Sequence, residues 1–212
     1  LANRILVPSE YIFKEVIKKG LSRKKINIFT PYMPIRDFLK IQTYPKKGRI
    51  LFVGQISIMK GIHYFAEVCR ILKRKNFHYE FIAAGKFFID IKNPLLNGPR
   101  YLGHLPRQDL MKVYSTSDLF VLPSLSDSFP IAPIEAMSCG IPVILTTSCG
   151  SIVEDGKNGY LIKPGDSNIL ANKIIEIVEN RSLRNKLGDN ARLKVQDYKI
   201  SDFYKNLDKA LN

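Results

Sequence analysis

From Arg49 onward the chain alternates two patterns that together leave few folds open. Short apolar runs halt at a glycine or a polar loop, and longer stretches between them carry apolar residues on a helical period. The runs 50–53, 79–83 and 100–102 reach Gly54, Gly85 and Gly103, and 119–122, 142–145 and 160–162 repeat the type. Between them, residues 61–73 place Ile62, Phe65, Ala66, Cys69 and Leu72 on one helical face. Helices are also expected over 106–114, over 131–137 closed by Gly140, and over 168–178 capped by Asp166. Two further helical runs finish the chain, the last over 202–211. Apolar strands alternating with amphipathic helices predict an α/β fold, a Rossmann-like doubly wound parallel sheet covered on both faces. Ligands of such sheets bind beyond the carboxyl ends of the strands. The loops after Val53, Ala84, Leu102 and Leu122 are therefore expected to line one site.

The first 46 residues read differently. Residues 4–7 and 26–29 are short strand candidates, and Ser9 can cap a helix over 10–19 that stops at Gly20. Pro31, Pro34 and Pro45 then punctuate a connection. The chain starts without Met, directly in a strand-like run, which leads us to expect a piece of something longer.

Composition narrows the function classes. The formal net charge is +14. The basic residues are scattered in small groups such as Arg23-Lys24-Lys25 and Lys73-Arg74-Lys75, with no zinc-finger spacing and no aromatic RNA-binding run. Nucleic acid is not expected as a partner; a peripheral attraction to anionic lipid and solvated helix faces account for the excess. Cys69, Cys139 and Cys149 form no CxxC pair and no His cluster accompanies them, so reduced thiols are expected. No apolar run approaches the roughly 18 residues of a membrane span, and the start has neither a charged n-region nor a long apolar one. The expected location is cytoplasmic, including the inner face of the membrane. No GxGxxG follows a strand, which argues against a dinucleotide oxidoreductase.

The chemistry concentrates in residues 126–140. Asp127 lies in the loop after a strand and Glu135 lies eight positions on, upon the next helix. That helix is expected to start near Pro130, leaving the N–H groups of Ile131, Ala132 and Ile134 for an anion. This segment resembles the E-x7-E signature of the family-4 glycosyltransferases of GT-B fold, with Asp127 in the first acidic place. Three further segments resemble the same family in order: the phosphate loop Phe52-Val53-Gly54-Gln55-Ile56-Ser57-Ile58-Met59-Lys60-Gly61, the nucleobase loop Tyr101-Leu102-Gly103-His104-Leu105-Pro106, and the run from Asp155 to Asp166.

The resemblance implies roles. Glu135 would bind the ribose hydroxyls, Asp127 the donor-sugar hydroxyls close to the reaction, and Lys60 the diphosphate leaving group. Backbone amides near Phe129 and Ile131 would cradle phosphate and sugar, while Gly54, Gln55, Ser128, His104 and Leu105 would complete the binding residues. It further implies transfer with retention of configuration, no divalent metal, a UDP-, GDP- or ADP-sugar donor, and a saccharide or lipid-linked acceptor. The pathway implied is bacterial polysaccharide, lipopolysaccharide or glycolipid synthesis. Residues 1–46 would be a remnant of an N-terminal domain and the crossing, 47–196 the donor domain, and 197–212 a helix returning to the N-terminal domain. The acceptor pocket would lie in that N-terminal domain. The sequence departs from the family at Gln55, where many relatives carry Arg: Gln can hydrogen-bond a phosphate without neutralising it. Asp127 has a shorter reach than Glu. Ser148 and Ser151 replace a Gly and an acid. A second reading is therefore a catalytically incompetent nucleotide-binding or interaction module.

Overall fold

The computed structural model describes residues 4–29, 31, 35–197, 203, 204, 207 and 208. Two parallel sheets are present among the described residues. The first is a small βαβ unit, β1 (Ile5–Val7), α1 (Glu10–Lys18) and β2 (Ile26–Ile28), with Ile5 paired to Ile26. Ser9 caps α1 by accepting the Ile12 N–H, and Gly20 ends it at φ 87°. The second sheet holds six strands: β3 (Arg49–Val53), β4 (Glu80–Ala84), β5 (Arg100–Gly103), β6 (Leu119–Leu122), β7 (Val143–Thr146) and β8 (Gly159–Ile162). Every pairing is parallel. The spatial order is β5-β4-β3-β6-β7-β8. Counted within the sheet, the chain builds outward from β3 to one edge, then returns beside β3 and builds to the other. The switch of direction between β3 and β6 opens a crevice at their carboxyl ends, where ligands of doubly wound sheets bind.

Among the described residues this sheet is accompanied by helices α2 (Arg36–Leu39), α3 (Ile62–Arg74), α4 (Arg107–Ser115), α5 (Ala132–Ser138), α6 (Ser167–Glu179) and α7 (Arg181–Gln196). Helix α3 packs with α6, while α5 packs with α2 and α7. Burial explains the apolar runs: β6 and β7 are covered at every residue, and Phe52, Phe65 and Phe120 are wholly inside. Such strands need no alternation, because both faces meet helices.

The fold is the α/β arrangement expected, with element ends moved by a residue or two. Helix α2 is the addition. It lies in the stretch read as a connection and is held by Phe38, fully buried with its ring edge-on to Tyr114 at 5.4 Å. Most of the expected helix over 202–211 lies outside the described residues, although Phe203 stands with its ring 5.0 Å from Phe29 after β2. Among the described residues no helix is long and apolar enough to cross a membrane, and the three cysteines are free.

At the amino end of the sheet, fully buried Asp118 receives Arg181 Nη1 at 2.7 and 2.8 Å, Arg184 Nε at 3.1 Å and the Gly48 N–H at 2.9 Å. A buried charge demands such pairing. This cluster ties α7 to the start of β6, at the opposite end from the crevice.

Candidate functional site

The crevice is built by two loops that hold each other. After β3, the Gly54 N–H donates to Ala84 O at 3.0 Å, and buried Ile56 exchanges hydrogen bonds with the loop after β4, its N–H to Lys86 O at 2.9 Å and its carbonyl from Phe88 N at 3.0 Å. The chain then turns through Gly61 at φ 74°, where a Cβ would stand 1.9 Å from Pro123 O. Only glycine permits both that backbone and that approach. The Leu125 N–H closes on Met59 O at 2.9 Å, so the loop after β3 rides directly on the loop after β6.

Asp127 is fixed from its other side. Its N–H donates to Ser148 O at 3.0 Å and its carbonyl accepts from Gly150 N at 2.9 Å, both in the loop after β7. Its carboxylate accepts a hydrogen bond and ion pair from Lys60 Nζ. The two residues assigned nearest the chemistry, 67 positions apart, therefore meet at the switch point. Their side chains are 23% and 8% exposed for Lys60 and Asp127, too little for a solvated surface pair.

A cavity of about 500 Å³ opens beside them, walled by Gly54, Gln55, Lys60, Asp127, Phe129 and Ile131. A second, of about 300 Å³, shares Val53, Gly54 and Gln55 and adds Lys86, His104, Leu105 and Leu110. The loops after β3, β4, β5 and β6 thus contribute to two adjoining spaces, as strand polarity required. Gln55 and His104 are exposed, Leu105 and Phe129 half-buried, and Ile131 sits on the rim.

Helix α5 begins later than expected, at Ala132, with Pro133 in its first turn. The Ile134 N–H is taken by Ile131 O at 2.9 Å, so it is not an available donor. That expectation fails because the backbone bends at Ile131 and closes the turn on itself. The N–H groups of Ile131 and Ala132 have no backbone acceptor among the described residues and remain for a ligand.

Glu135 and Ser128 line neither cavity. Exposed Ser128 offers its carbonyl to Ser9 Oγ at 2.8 Å, which docks the first βαβ unit on the site loop. Tyr11 does the same through Ser126 Oγ at 3.2 Å. Glu135 lies one turn into α5. Its Oε2 accepts from Tyr114 Oη at 3.0 Å, and the same hydroxyl lies 3.2 Å from Ala132 O. Burial pushes the Glu135 carboxyl up; the Tyr114 hydrogen bond and the charge of Arg107 pull against it. The phenol of Tyr114 is itself raised well above its ordinary value, by burial first and then by the adjacent carboxylate.

Sequence reasoning missed Tyr114 as a site residue; it fell at the end of the helix expected over 106–114. A fully buried tyrosine does signal a nearby acceptor, since its hydroxyl needs a partner. It also missed Lys86, a cation on the wall of the second cavity. Among the described residues no three His, Cys, Asp or Glu side chains gather as a metal site would need. The arrangement can meet an anion with Lys60 and two free amides, and can accept hydrogen bonds from hydroxyl groups with two carboxylates held in place.

Known proteins share this architecture. A family model described as glycosyl transferases group 1 matches residues 35–194. An uncharacterized glycosyltransferase of Methanocaldococcus jannaschii is 33% identical over 197 residues, 90% of this chain and 54% of the relative. The capsular polysaccharide biosynthesis glycosyltransferase CapM of Staphylococcus aureus is 28% identical over 156 residues, 69% of this chain and 40% of the relative. The crystal structure of Anabaena HepE in complex with UDP and glucose superposes with a TM-score of 0.80 at 20% identity, covering 100% of this chain and 63% of that one. The chain spans about half the length of the curated relatives it matches.

Proposed function

The chain belongs to the group 1 glycosyl transferases, and on that premise we propose that it is the donor-binding half of a retaining, family-4 hexosyltransferase. It holds a nucleoside diphosphate sugar across the crevice between β3 and β6. The observation that carries this reading is the meeting of Lys60 and Asp127 at the switch point, beside a cavity with free amides on its far wall. The diphosphate takes Lys60 and the Ile131 and Ala132 amides, and Gln55 adds a neutral hydrogen bond. Asp127 accepts from the sugar, and Glu135 accepts from the ribose. The base lies in the second cavity against His104 and Leu105, with Lys86 at its edge.

The chemistry follows from charge. Cleaving the glycosidic bond leaves extra negative charge on the nucleoside diphosphate, and donors already aimed at that position can each remove roughly 3 kcal/mol of barrier. Lys60 and the two amides serve this purpose, so the reading needs no metal. UDP and glucose beside a chain of the same fold, in Anabaena HepE, support the ligand class. The biosynthetic role in the name of CapM supports saccharide assembly as the pathway class. An acceptor saccharide or lipid-linked saccharide would be held by a part of the protein beyond these residues. The charge of +14 supports a cytoplasmic location with access to an anionic membrane surface.

Gln55 favours a second reading, nucleotide binding without turnover, because it walls both cavities without charge. Titration calorimetry with UDP, GDP and ADP tests the first claim of both. Binding of at least one is expected; no binding of any at millimolar concentration would defeat them together.

A further inference from the structure

We propose that Asp127, through its ion pair with Lys60, makes the site distinguish a nucleotide sugar from the bare nucleoside diphosphate. This rests on the donor-site reading above and assigns the pair a job within it. In this structure the Lys60 ammonium is committed to Asp127. Lys60 is also the one cation among the described residues that wall the larger cavity. A diphosphate entering there must draw Lys60 away from Asp127 or share it.

The consequence falls on Asp127. Its side chain is 8% exposed, so water reaches it poorly. Its backbone is clamped on both sides by the loop after β7, through Ser148 O and the Gly150 N–H, so the carboxylate can move only by turning about its own side-chain bonds. Losing Lys60 leaves a nearly buried anion beside a second anion, which costs heavily unless another donor arrives. A sugar hydroxyl supplies that donor, and the bare nucleoside diphosphate has none at this position. Lys60 therefore changes partner from Asp127 to diphosphate while Asp127 changes partner from Lys60 to sugar. The donor satisfies both carboxylate and ammonium. The product satisfies only the ammonium, and the pair re-forms as it leaves.

The test is a double-mutant cycle read by calorimetry on this chain. UDP, GDP and ADP are titrated first, and the tightest of them serves as the probe, with its glucose conjugate as the comparison ligand whose advantage over the probe should shrink in Asp127→Asn. Asp127→Asn removes the competitor for Lys60 at nearly constant shape, so the probe should bind roughly threefold to tenfold more tightly. In a Lys60→Ala background the same substitution should give a smaller gain, because it then relieves only the repulsion between Asp127 and the diphosphate and releases no ammonium. Asp127→Ser repeats the comparison if the Asn variant fails to fold. An equal gain in both backgrounds would assign the effect to simple charge repulsion and overturn the exchange. Unchanged or weaker binding of the probe to Asp127→Asn would overturn it as well, while leaving the nucleotide site standing. Failure of the unsubstituted chain to bind any of the three would remove the donor-site reading itself.

Discussion

Replacing Tyr114 by Phe removes one oxygen from a wholly buried side chain and leaves its ring in place. The ring contacts survive: edge-on to Phe38 at 5.4 Å and stacked with Phe120 at 6.4 Å. What is lost is an O–H at 3.0 Å from Glu135 Oε2, shared with Ala132 O at 3.2 Å. A hydrogen bond to a charged acceptor contributes about 1.5–3 kcal/mol, and relief of the buried hydroxyl offsets part of it. A net loss of about 1–2 kcal/mol is expected, which lowers Tm by roughly 2–8 °C for a chain of this size. The larger signal is in pH. Tyr114 helps hold the Glu135 carboxyl down against burial, so the variant raises it further. Nucleoside diphosphate affinity, which uses the carboxylate in the function proposed above, should fall roughly threefold to tenfold near neutrality, about 0.7–1.4 kcal/mol. Its decline in acid should begin at higher pH than in the unsubstituted chain. Stability moves the other way. A carboxyl raised on folding binds its proton more readily in the native state, so stability falls as pH rises from the unfolded value through the raised folded one. Calorimetric titrations across mildly acid to neutral pH, paired with thermal melts, read both effects. Unaltered affinity at every pH in Tyr114→Phe would refute the positioning of Glu135 by Tyr114.

Three further outcomes are expected. Glu135→Ala should weaken nucleoside diphosphate binding by about 1.5–3 kcal/mol, if the carboxylate grips a ribose hydroxyl, as read by calorimetry. Gly61→Ala forces a side chain onto a positive φ and against Pro123 O, and should cost about 2–4 kcal/mol in urea denaturation while loosening nucleotide binding through Lys60. Asp118→Asn breaks the buried cluster with Arg181 and Arg184 and should cost about 3–5 kcal/mol of stability, yet leave the affinity of the folded fraction unchanged because the cluster lies at the other end of the sheet.

The inner strands β4, β3, β6 and β7 were legible because they are buried almost throughout and so read as apolar runs, while the edge strands β5 and β8, largely half-buried, showed shorter ones. Helix α2 was not legible. Four residues near two prolines carry almost no periodic signal, and tertiary burial of Phe38 against Tyr114 is what stabilises the turn. The start of α5 was misjudged for a local reason: Pro133 suits a first turn, and the bend at Ile131 puts that turn two residues later than Pro130 suggests. Asp127, Glu135 and Lys60 were singled out on motif and spacing. That Lys60 binds Asp127, and Tyr114 binds Glu135, was hidden, because partners 67 and 21 positions apart meet only once the sheet has formed. The same holds for Ser9, legible as a cap of α1 but not as the donor to Ser128 O across 119 positions.

The claim on which the account turns is that a diphosphate replaces Asp127 as the partner of Lys60 at the switch point. A crystal structure of this chain soaked with UDP, GDP or ADP tests it directly. Phosphate oxygens are expected within hydrogen-bonding distance of Lys60 Nζ and of the Ile131 and Ala132 amides, with the base toward His104 and Leu105. A bound nucleotide whose phosphates lie elsewhere, with Lys60 still closed on Asp127, would contradict it.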